Sequence, residues 1–362
     1  MTSTAPKPLT ESASGAVPAA APDNPPPLSR ARRILRAVAI LGCLPYLTLK
    51  TIWIAGGEIG IPPDSSLLEH RTTMALANAG TVLMDGAVIV LVLLLTRPWG
   101  LRMPAWLLAV PLWIASGLLA PIVAGYPLQM AVRLFPGAPE SGTTGASEPF
   151  LDDWVFAVVY PGFIVQALAL GGLFVLYARD RWGHLWQGRL HGLPRTATAP
   201  AQRITACVVA VLALLPAAVH LSWAAGSRAG LNASRAEDYT RDSAVLDLVY
   251  VGFTVTAVAG VLLLAFPRGR ALPVKLPLAL AWVGSGALAC WGGWMLMTSL
   301  TTVDDLTKQP TPALQLTYAV QMIVGILVAT FGAYFFAERA AAARPAVAAA
   351  DHDATAPARP RG

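Results

Sequence analysis

The sequence predicts an all-α fold: a polytopic membrane protein whose eight transmembrane helices form two parallel four-helix repeats. The first observation is compositional. Of the 362 residues, 55% are hydrophobic and only 13% are charged, whereas soluble proteins carry about 25% charged residues. The second observation is a series of apolar runs that approach the roughly 20 residues needed to cross ~30 Å of hydrocarbon as a helix. The third is a motif that occurs twice.

The apolar runs predict eight helices, because Pro, Gly and charged residues mark their ends. Their approximate bounds are 37–56, 74–96, 104–126, 154–177, 204–224, 245–265, 276–298 and 313–337. The flanking segments are rich in Ala, Pro, Ser and Thr and cannot bury enough apolar surface to fold. The predicted organisation is a disordered tail (1–29), a first four-helix repeat (30–180), a connection (181–203), a second four-helix repeat (204–339) and a second disordered tail (340–362).

Basic residues are distributed unevenly between the two ends of the predicted helices. The two tails and the three connections on their side hold 19 Lys and Arg residues, and the opposite side holds six. Cytoplasmic connections of membrane proteins are enriched in Lys and Arg, so both termini are predicted to be cytoplasmic. These residues form no stripe on a folded surface, so the net charge of +6 does not indicate nucleic-acid binding.

The connection 181–203 begins with an aromatic and apolar segment. Trp182, Leu185, Trp186 and Leu190 would share one face of a helix. One interpretation is therefore an amphipathic helix that lies in the headgroup layer of the membrane. The alternative is an aromatic loop at the interface without regular structure.

One motif ends an apolar run in each half. It places a titratable side chain three residues before a Trp and a Gly three residues after it. The first copy contains Lys50, Trp53 and Gly56, and the second copy contains His220, Trp223 and Gly226. Shared Trp and Gly at fixed spacing are stronger evidence of a repeat than shared Leu in membrane segments. The motif therefore indicates a duplication.

Further matches lie 169 positions apart. Trp113, Ser116 and Gly117 recur as Trp282, Ser285 and Gly286. Each repeat has an even number of spans, so both copies begin on the same side of the membrane. Two such copies pack most simply around a pseudo-twofold axis along the membrane normal, unlike inverted repeats. The Ser-Gly pairs predict places where helix backbones approach closely.

The motif Lys/His-x-x-Trp-x-x-Gly is followed in the first half by Trp-Gly-x-x-x-Pro-x-Trp-Leu, at positions 99–107. This combination resembles uncharacterised polytopic membrane proteins of high-GC bacteria. The resemblance covers about half of the chain and implies a four-helix unit, here duplicated, in the plasma membrane of a bacterium. It implies no activity. Lys50 departs from the His of that pattern, so the resemblance does not extend to shared chemistry at this position.

Asp85 is the strongest candidate for a functional residue in the first half. It lies near the middle of the second predicted span, on the order of 16 Å from either end at 1.5 Å per residue. An aspartate cannot reach the interface from that depth, so it must be protonated, paired or wetted by a cavity. Lys50 is a candidate partner, and the alternative is that its side chain extends to the outer interface. Asn78 lies on the same helical face as Asp85.

The second half carries a different set of polar residues at the corresponding positions. His220 corresponds to Lys50, Asp247 corresponds to Asn78, and Thr254 corresponds to Asp85. His220 is either a proton relay or a hydrogen-bonded residue of the membrane interface, and Asp247 is either intramembrane or interfacial. Gln166 and Gln321 are candidates for hydrogen bonds between helices or for substrate contacts.

Three classes of function remain open. A non-catalytic membrane scaffold or accessory subunit is slightly preferred over the other two, because the polar content of the spans is sparse, and it implies an unidentified membrane protein partner. A small-solute or proton-coupled carrier is favoured by the duplication and by Asp85. A membrane enzyme would use the acidic pairs Asp152-Asp153 and Asp304-Asp305 on the outer side. No cofactor or metal is expected, because the sequence lacks a phosphate-binding loop, a His-Glu-x-x-His motif and paired intramembrane histidines. The bilayer itself is the one partner that all three share.

Overall fold

The computed structural model describes residues 28–63, 65, 68, 71–135, 151–194, 196–267, 271–300 and 305–355. Within these ranges the fold is all-α, as predicted, and eight helices are long and apolar enough to cross a membrane. They are α1 (Arg30–Ile54), α2 (Arg71–Thr96), α3 (Ala105–Arg133), α4 (Asp153–Trp182), α5 (Ala199–Ala224), α7 (Arg241–Ala265), α8 (Lys275–Ser299) and α9 (Pro312–Thr355). A short helix, α6 (Ala233–Glu237), lies between α5 and α7. The side of the molecule that carries α6 is called the outer side below.

Helix ends follow local capping chemistry. Thr240 and Ser243 form a capping box at the start of α7, in which each side chain bonds the other residue's backbone. At the end of the chain α9 continues to Thr355, whereas the sequence predicted a span ending near 337 and a disordered tail from 340. The Ala-rich composition explains the difference, since Ala has the highest helix propensity. Residues 1–27 of the predicted first tail and 356–362 of the second lie outside the described residues.

In the first set of four spans, α1 packs against α2 and α4. The crossing of α1 and α4 occurs at Gly42 and Gly162, where a Cβ on either residue would lie 3.1 Å from the carbonyl oxygen of the other. In the second set, α5 packs against α7 and α9. There α8 lies close to α7 because Gly260 and Gly284 allow backbone contact with the facing helix.

The contact between the two sets of helices is centred on α3 and α8. Trp113 Nε1 of α3 donates a hydrogen bond to Ser285 Oγ of α8 at 2.9 Å. In the opposite direction, Trp282 Nε1 of α8 donates to Ser116 Oγ of α3 at 3.0 Å. Between these bonds the backbones touch at Gly117, where a Cβ would collide with the carbonyl group of Gly286. The close approach expected at the Ser-Gly pairs is thus present.

The outer end of α3 leans towards the second set of helices. Gln129 Nε2 donates to the backbone oxygen of Asp242 at 3.1 Å, and Arg133 Nε donates to the Asp242 carboxylate at 3.1 Å. Gly125 faces Leu246 of α7. This end of α3 therefore joins the two halves.

The segment after α4 forms two short 3₁₀ turns, Gly183–Leu185 and Leu190–Gly192, rather than one interfacial helix. Its apolar side chains turn towards protein instead of lipid: Leu190 is fully buried, and Trp186 packs edge-to-face on Phe336 at 6.4 Å. The backbone of Leu190 also donates to Leu272 at 2.9 Å. Gly188, with φ of 100°, breaks any continuous helix here.

Candidate functional site

Both copies of the repeated motif end their helix with a left-handed glycine. Gly56 has φ of 88° and Gly226 has φ of 105°. In each case the glycine amide donates to the carbonyl of the Trp three residues earlier, at 3.1 Å from Trp53 and 2.9 Å from Trp223. A side chain is strongly disfavoured at such φ values, so the spacing of Trp and Gly in the motif has a direct conformational cause.

The two Trp side chains close the loop that follows. Trp53 Nε1 donates to the carbonyl of Ile59 at 2.8 Å, and Trp223 Nε1 donates to the carbonyl of Ala229 at 2.9 Å. Both rings are almost fully buried. Each Trp thereby fixes the outer end of its helix, and with it the direction of the titratable side chain one turn earlier.

In the first half that side chain is Lys50, which is half-buried and does not extend into solvent. Its Nζ donates to Asn78 Oδ1 at 2.6 Å. It also lies over the rings of Tyr46 and Trp53, 4.9 Å and 4.8 Å from their centroids. Cation–π contacts partly replace the lost hydration of the ammonium group. No hydrogen bond or ion pair among the described residues joins Lys50 to Asp85.

In the second half the corresponding pair is His220 and Asp247, whose Nδ1 and Oδ1 lie 2.7 Å apart. The hydroxyl of Tyr239, outside the spans, donates to the other carboxylate oxygen of Asp247 at 2.5 Å. Burial and this hydrogen bond raise the pKa of Tyr239 well above its usual range, so the hydroxyl keeps its proton. His220 stacks on Tyr250 with a centroid distance of 5.1 Å. Asp247 is thus buried with both oxygens satisfied.

The other ring nitrogen of His220 faces an amide of α9. His220 Nε2 lies 3.3 Å from Gln321 Oε1. With the amide in this orientation both ring nitrogens donate, and the imidazole is a cation paired with the Asp247 carboxylate. With the amide rotated by half a turn, the Gln321 amine donates to Nε2 and the imidazole is neutral. The Nδ1 proton faces Asp247 in both states.

This cluster lies in the wall of a cavity of about 360 Å³ at the outer ends of α5, α7, α8 and α9. Its aromatic wall includes Trp223, Tyr250, Trp291 and Tyr318, and its polar wall includes one cationic side chain, Arg235, two carboxylates, Asp238 and Asp247, and the side chains of His220, Gln321 and Tyr239. Arg235 of α6 donates to the hydroxyl of Tyr318. Within the part of the chain that the structure describes, Arg235 pairs with no carboxylate. The cavity therefore exposes a cationic side chain beside an aromatic surface.

Asp85 lies apart from this cavity, on α2 in the first half. It is 6% exposed, and its Oδ1 accepts a hydrogen bond from Gln166 Nε2 of α4 at 3.4 Å. The other oxygen, Oδ2, is buried without a partner among the described residues, as are Gln166 Oε1 and Asn78 Nδ2. At the corresponding position of the second half, Thr254 is satisfied by the carbonyl of Tyr250 in its own helix. Gln166 therefore connects α4 to α2, and Gln321 likewise connects α9 to α5 through His220.

The sequence did not indicate Arg235, Tyr239 and Tyr318 as site residues. The sequence does contain a signal for α6, the short helix that carries Arg235. Asn232 caps this helix, because its side chain accepts a hydrogen bond from the Arg235 amide at 3.0 Å. Asn preceding a short helical run is a common N-cap. Of the acidic pairs, Asp304 lies outside the described residues. No cluster of three His, Cys, Asp or Glu side chains is found among the residues that are described.

The eight apolar helices define the chain as a multi-pass membrane protein. Comparisons with protein-family models, with curated proteins and with solved structures gave no match. The functional interpretation therefore depends on the residues of this chain alone.

Proposed function

We propose that this protein is a carrier-type membrane protein that binds a small organic anion from the outer side, in the cavity beside His220. The observation that carries the proposal is Arg235, a cationic group without a carboxylate partner among the described residues, in the wall of an aromatic cavity. Arginine binds carboxylate and phosphate groups through paired charge-assisted hydrogen bonds. The volume of about 360 Å³ lies within the range of small-molecule sites.

Each wall of the cavity has a role in this proposal. The anionic group of the solute contacts Arg235, and the apolar body lies against Trp223 and Trp291, which offer large flat surfaces. His220 lies in the same wall, where both of its ring nitrogens already bond Asp247 and Gln321, so it orients these neighbours instead of contacting the anion directly. The expected solute is therefore an aromatic or otherwise flat carboxylic acid.

The proposal also includes the arrangement of the eight spans as two four-helix repeats in parallel orientation. Three correspondences support the two-repeat arrangement. The first is the matching turns at Gly56 and Gly226, and the second is the matching pairs Lys50–Asn78 and His220–Asp247. The third is the reciprocal Trp–Ser hydrogen bonds of α3 and α8. A pseudo-twofold axis through the α3–α8 contact accounts for these correspondences. Carriers of several folds are built from internal repeats.

The excess of Lys and Arg on the side of the termini supports a cytoplasmic location for both. The cavity then faces the outside of the cell. The resemblance to membrane proteins of high-GC bacteria supports the plasma membrane of a bacterium as the location.

The scaffold and enzyme alternatives have less support. A structural role for the polar residues would place them against packed neighbours; Gln321 is packed in this way, whereas Arg235 is exposed beside the cavity. A hydrolytic enzyme that used the His220–Asp247 pair would need a nucleophile beside it. The hydroxyl of Ser243, which also lines the cavity, is part of the capping box of α7 and is therefore already used.

The test is ligand binding by the purified protein in lipid nanodiscs, followed by tryptophan fluorescence because Trp223 and Trp291 line the cavity. Benzoate is the anionic probe and benzamide is its uncharged analogue. We expect saturable quenching by benzoate and at least tenfold weaker binding in Arg235→Gln, since a charged hydrogen bond contributes about 1.5–3 kcal/mol. Arg71→Gln is the matched control, because Arg71 pairs with Glu58 on the outer side of the first half.

Equal responses to benzoate and benzamide, or unchanged binding in Arg235→Gln, would contradict the proposal. If neither probe binds and the protein purifies in mild detergent with a stoichiometric partner, the scaffold alternative is favoured instead.

A further inference from the structure

Asp85 occupies the interior of the first half, remote from the cavity of the second. The crossing of α1 and α4 fixes its partner: the backbone nitrogen and Cβ of Gln166 lie 3.2 Å and 3.3 Å from where a Cβ on Gly42 would be. Gln166 is 1% exposed. The amide therefore has little freedom to turn away from Asp85.

The hydrogen bonding around Asp85 is incomplete if its carboxyl group is ionised. Asp85 Oδ2 and Gln166 Oε1 would both be acceptors, and both are buried without a donor among the described residues. Buried polar atoms almost always have partners. One proton on Oδ2 removes the conflict, because the resulting O–H donates towards Gln166 Oε1 while Gln166 Nε2 donates to Oδ1. The acid and the amide then form a two-point pair.

The charged and titratable groups near Asp85 do not provide a bonded cation. Those within electrostatic reach are Lys50, Tyr46 and Cys43, all on α1. The ammonium of Lys50 is held by Asn78 and by two aromatic rings, and the thiol of Cys43 donates to its own helix at Ala39. An ionised carboxylate without a bonded partner is costly at the middle of a membrane.

We infer that Asp85 is a proton-binding site and that its carboxyl group carries a proton at neutral pH. This site is independent of the proposed anion site, since it uses other residues in the other half. A buried carboxylic acid of this kind reacts with a hydrophobic carbodiimide that arrives through the lipid. Gly86, the next residue of α2, has open space where a side chain would lie, and this space provides access next to Asp85.

The reaction needs the carboxyl proton and no other reagent. The proton moves to one carbodiimide nitrogen while the carboxyl oxygen forms a bond to the central carbon, which gives an O-acylisourea. The acyl group then migrates from oxygen to nitrogen and gives a stable N-acylurea, with no atom lost and no change of oxidation state. Asp247 provides an internal control: both of its oxygens accept hydrogen bonds, from His220 and Tyr239, so it has no unpartnered oxygen like Oδ2 of Asp85.

The experiment treats the full-length protein in lipid nanodiscs at neutral pH with dicyclohexylcarbodiimide and maps adducts by peptide mass spectrometry. We expect an adduct on the peptide that contains Asp85, at least tenfold more than on the peptide that contains Asp247. The adduct should disappear in Asp85→Asn and decrease as the pH is raised. An unmodified Asp85, or equal modification of Asp247, would overturn the inference.

A second measurement guards against a folding defect in the variant. Asn has the shape of a protonated Asp and can donate to Gln166 Oε1, so Asp85→Asn should keep the melting temperature of the wild type or raise it. A marked decrease in melting temperature would show that the ionised carboxylate is the native form, and the inference would be wrong.

Discussion

The imidazole of His220 is held between a carboxylate and an amide, and each neighbour is held in turn. Tyr239 fixes Asp247 from the loop before α7, and α9 supplies Gln321. Such a chain orients the ring and fixes which nitrogen carries the proton. The cluster therefore couples a residue of the outer loop to the interior of the second half.

The hydroxyl of Tyr239 is predicted to stabilise the fold through Asp247. Tyr239→Phe removes one donor and leaves a largely buried carboxylate oxygen without a partner, which costs about 1–3 kcal/mol. The measurement is thermal unfolding in detergent. Tyr334→Phe is the matched control, since Tyr334 is 64% exposed, and it should have no effect. Equal melting temperatures for Tyr239→Phe and wild type would show that the bond does not contribute.

The same variant has a pH signature with a defined sign. Because the pKa of Tyr239 is raised in the folded protein, its contribution to stability is complete below about pH 10, the usual pKa of tyrosine. As the pH rises further, the unfolded chain releases this proton first, so the contribution is lost. Wild type should therefore lose stability above about pH 10 more steeply than Tyr239→Phe. Parallel curves would contradict this.

The sequence grouped Lys50, Asn78 and Asp85 in one half and His220 and Asp247 in the other. It offered Lys50 as the partner of Asp85, whereas Asp85 bonds Gln166 and Lys50 bonds Asn78. Lys50 lies level with Asn78, and Asp85 is seven residues deeper, about 10 Å at 1.5 Å per residue. Helical spacing showed that Asn78 and Asp85 share a face of α2, but not how far Lys50 on α1 would have to reach. Gln166 faces Asp85 because α1 and α4 cross at Gly42 and Gly162, and the crossing point of two helices is not a periodic property of either.

At the level of elements, the turn after α1 and the turn after α5 are equivalent in geometry. At Gly56 and at Gly226, the positive-φ glycines that end the two helices, there is open space where a side chain would point. The requirement for glycine is therefore conformational rather than steric. A change at either position should affect the backbone alone.

Gly226→Ala and Gly56→Ala should each destabilise the protein by about 1–2 kcal/mol, the cost of a left-handed conformation for a residue with a Cβ. Gly171→Ala is the control: Gly171 lies within α4 with open space around it, so alanine should stabilise by up to about 1 kcal/mol. Thermal unfolding of the three variants measures the effects. If Gly226→Ala is as stable as Gly171→Ala, the turn does not define the end of the helix.

All eight spans could be predicted because hydrocarbon requires a long apolar helix for each crossing. The residues at which the helices end were less predictable from the sequence. The helix α3 continues to Arg133, past the predicted end at 126, because its last turns pack against α7 through Gln129 and Arg133 instead of entering solvent. Tertiary contacts of this kind leave no signal in hydropathy.

At the scale of the whole molecule, the two halves differ in how tightly α3 and α8 are packed. The helix α8 contacts the backbone of α7 at Gly260 and Gly284, which have no side chains. The residues at the corresponding positions of the first half, 169 positions earlier, are Leu91 and Ala115. The side chain of Leu91 prevents an equally close contact between α2 and α3. The two halves of the chain thus share the α3–α8 interface while the packing around it differs.

The α3–α8 contact provides the sharpest test of the two-repeat arrangement, because equivalent bonds must be equivalent in energy. Ser285→Ala leaves the indole of Trp113 without an acceptor, and Ser116→Ala does the same to Trp282. Each change should cost about 1 kcal/mol, the typical contribution of one hydrogen bond, and the two should lower the melting temperature equally. Ser222→Ala is the matched control, since the exposed hydroxyl of Ser222 bonds only the carbonyl of Val219 in its own helix.

The double variant Ser116→Ala, Ser285→Ala tests whether the two halves separate at this contact. Its loss of stability should be close to the sum of the single losses if each bond acts alone, and larger if the bonds support each other across the Gly117 crossing. Both outcomes agree with a symmetric interface. A large loss in one single variant with none in the other would contradict the proposed pseudo-twofold axis at Gly117 and Gly286, which would relate the two bonds to each other.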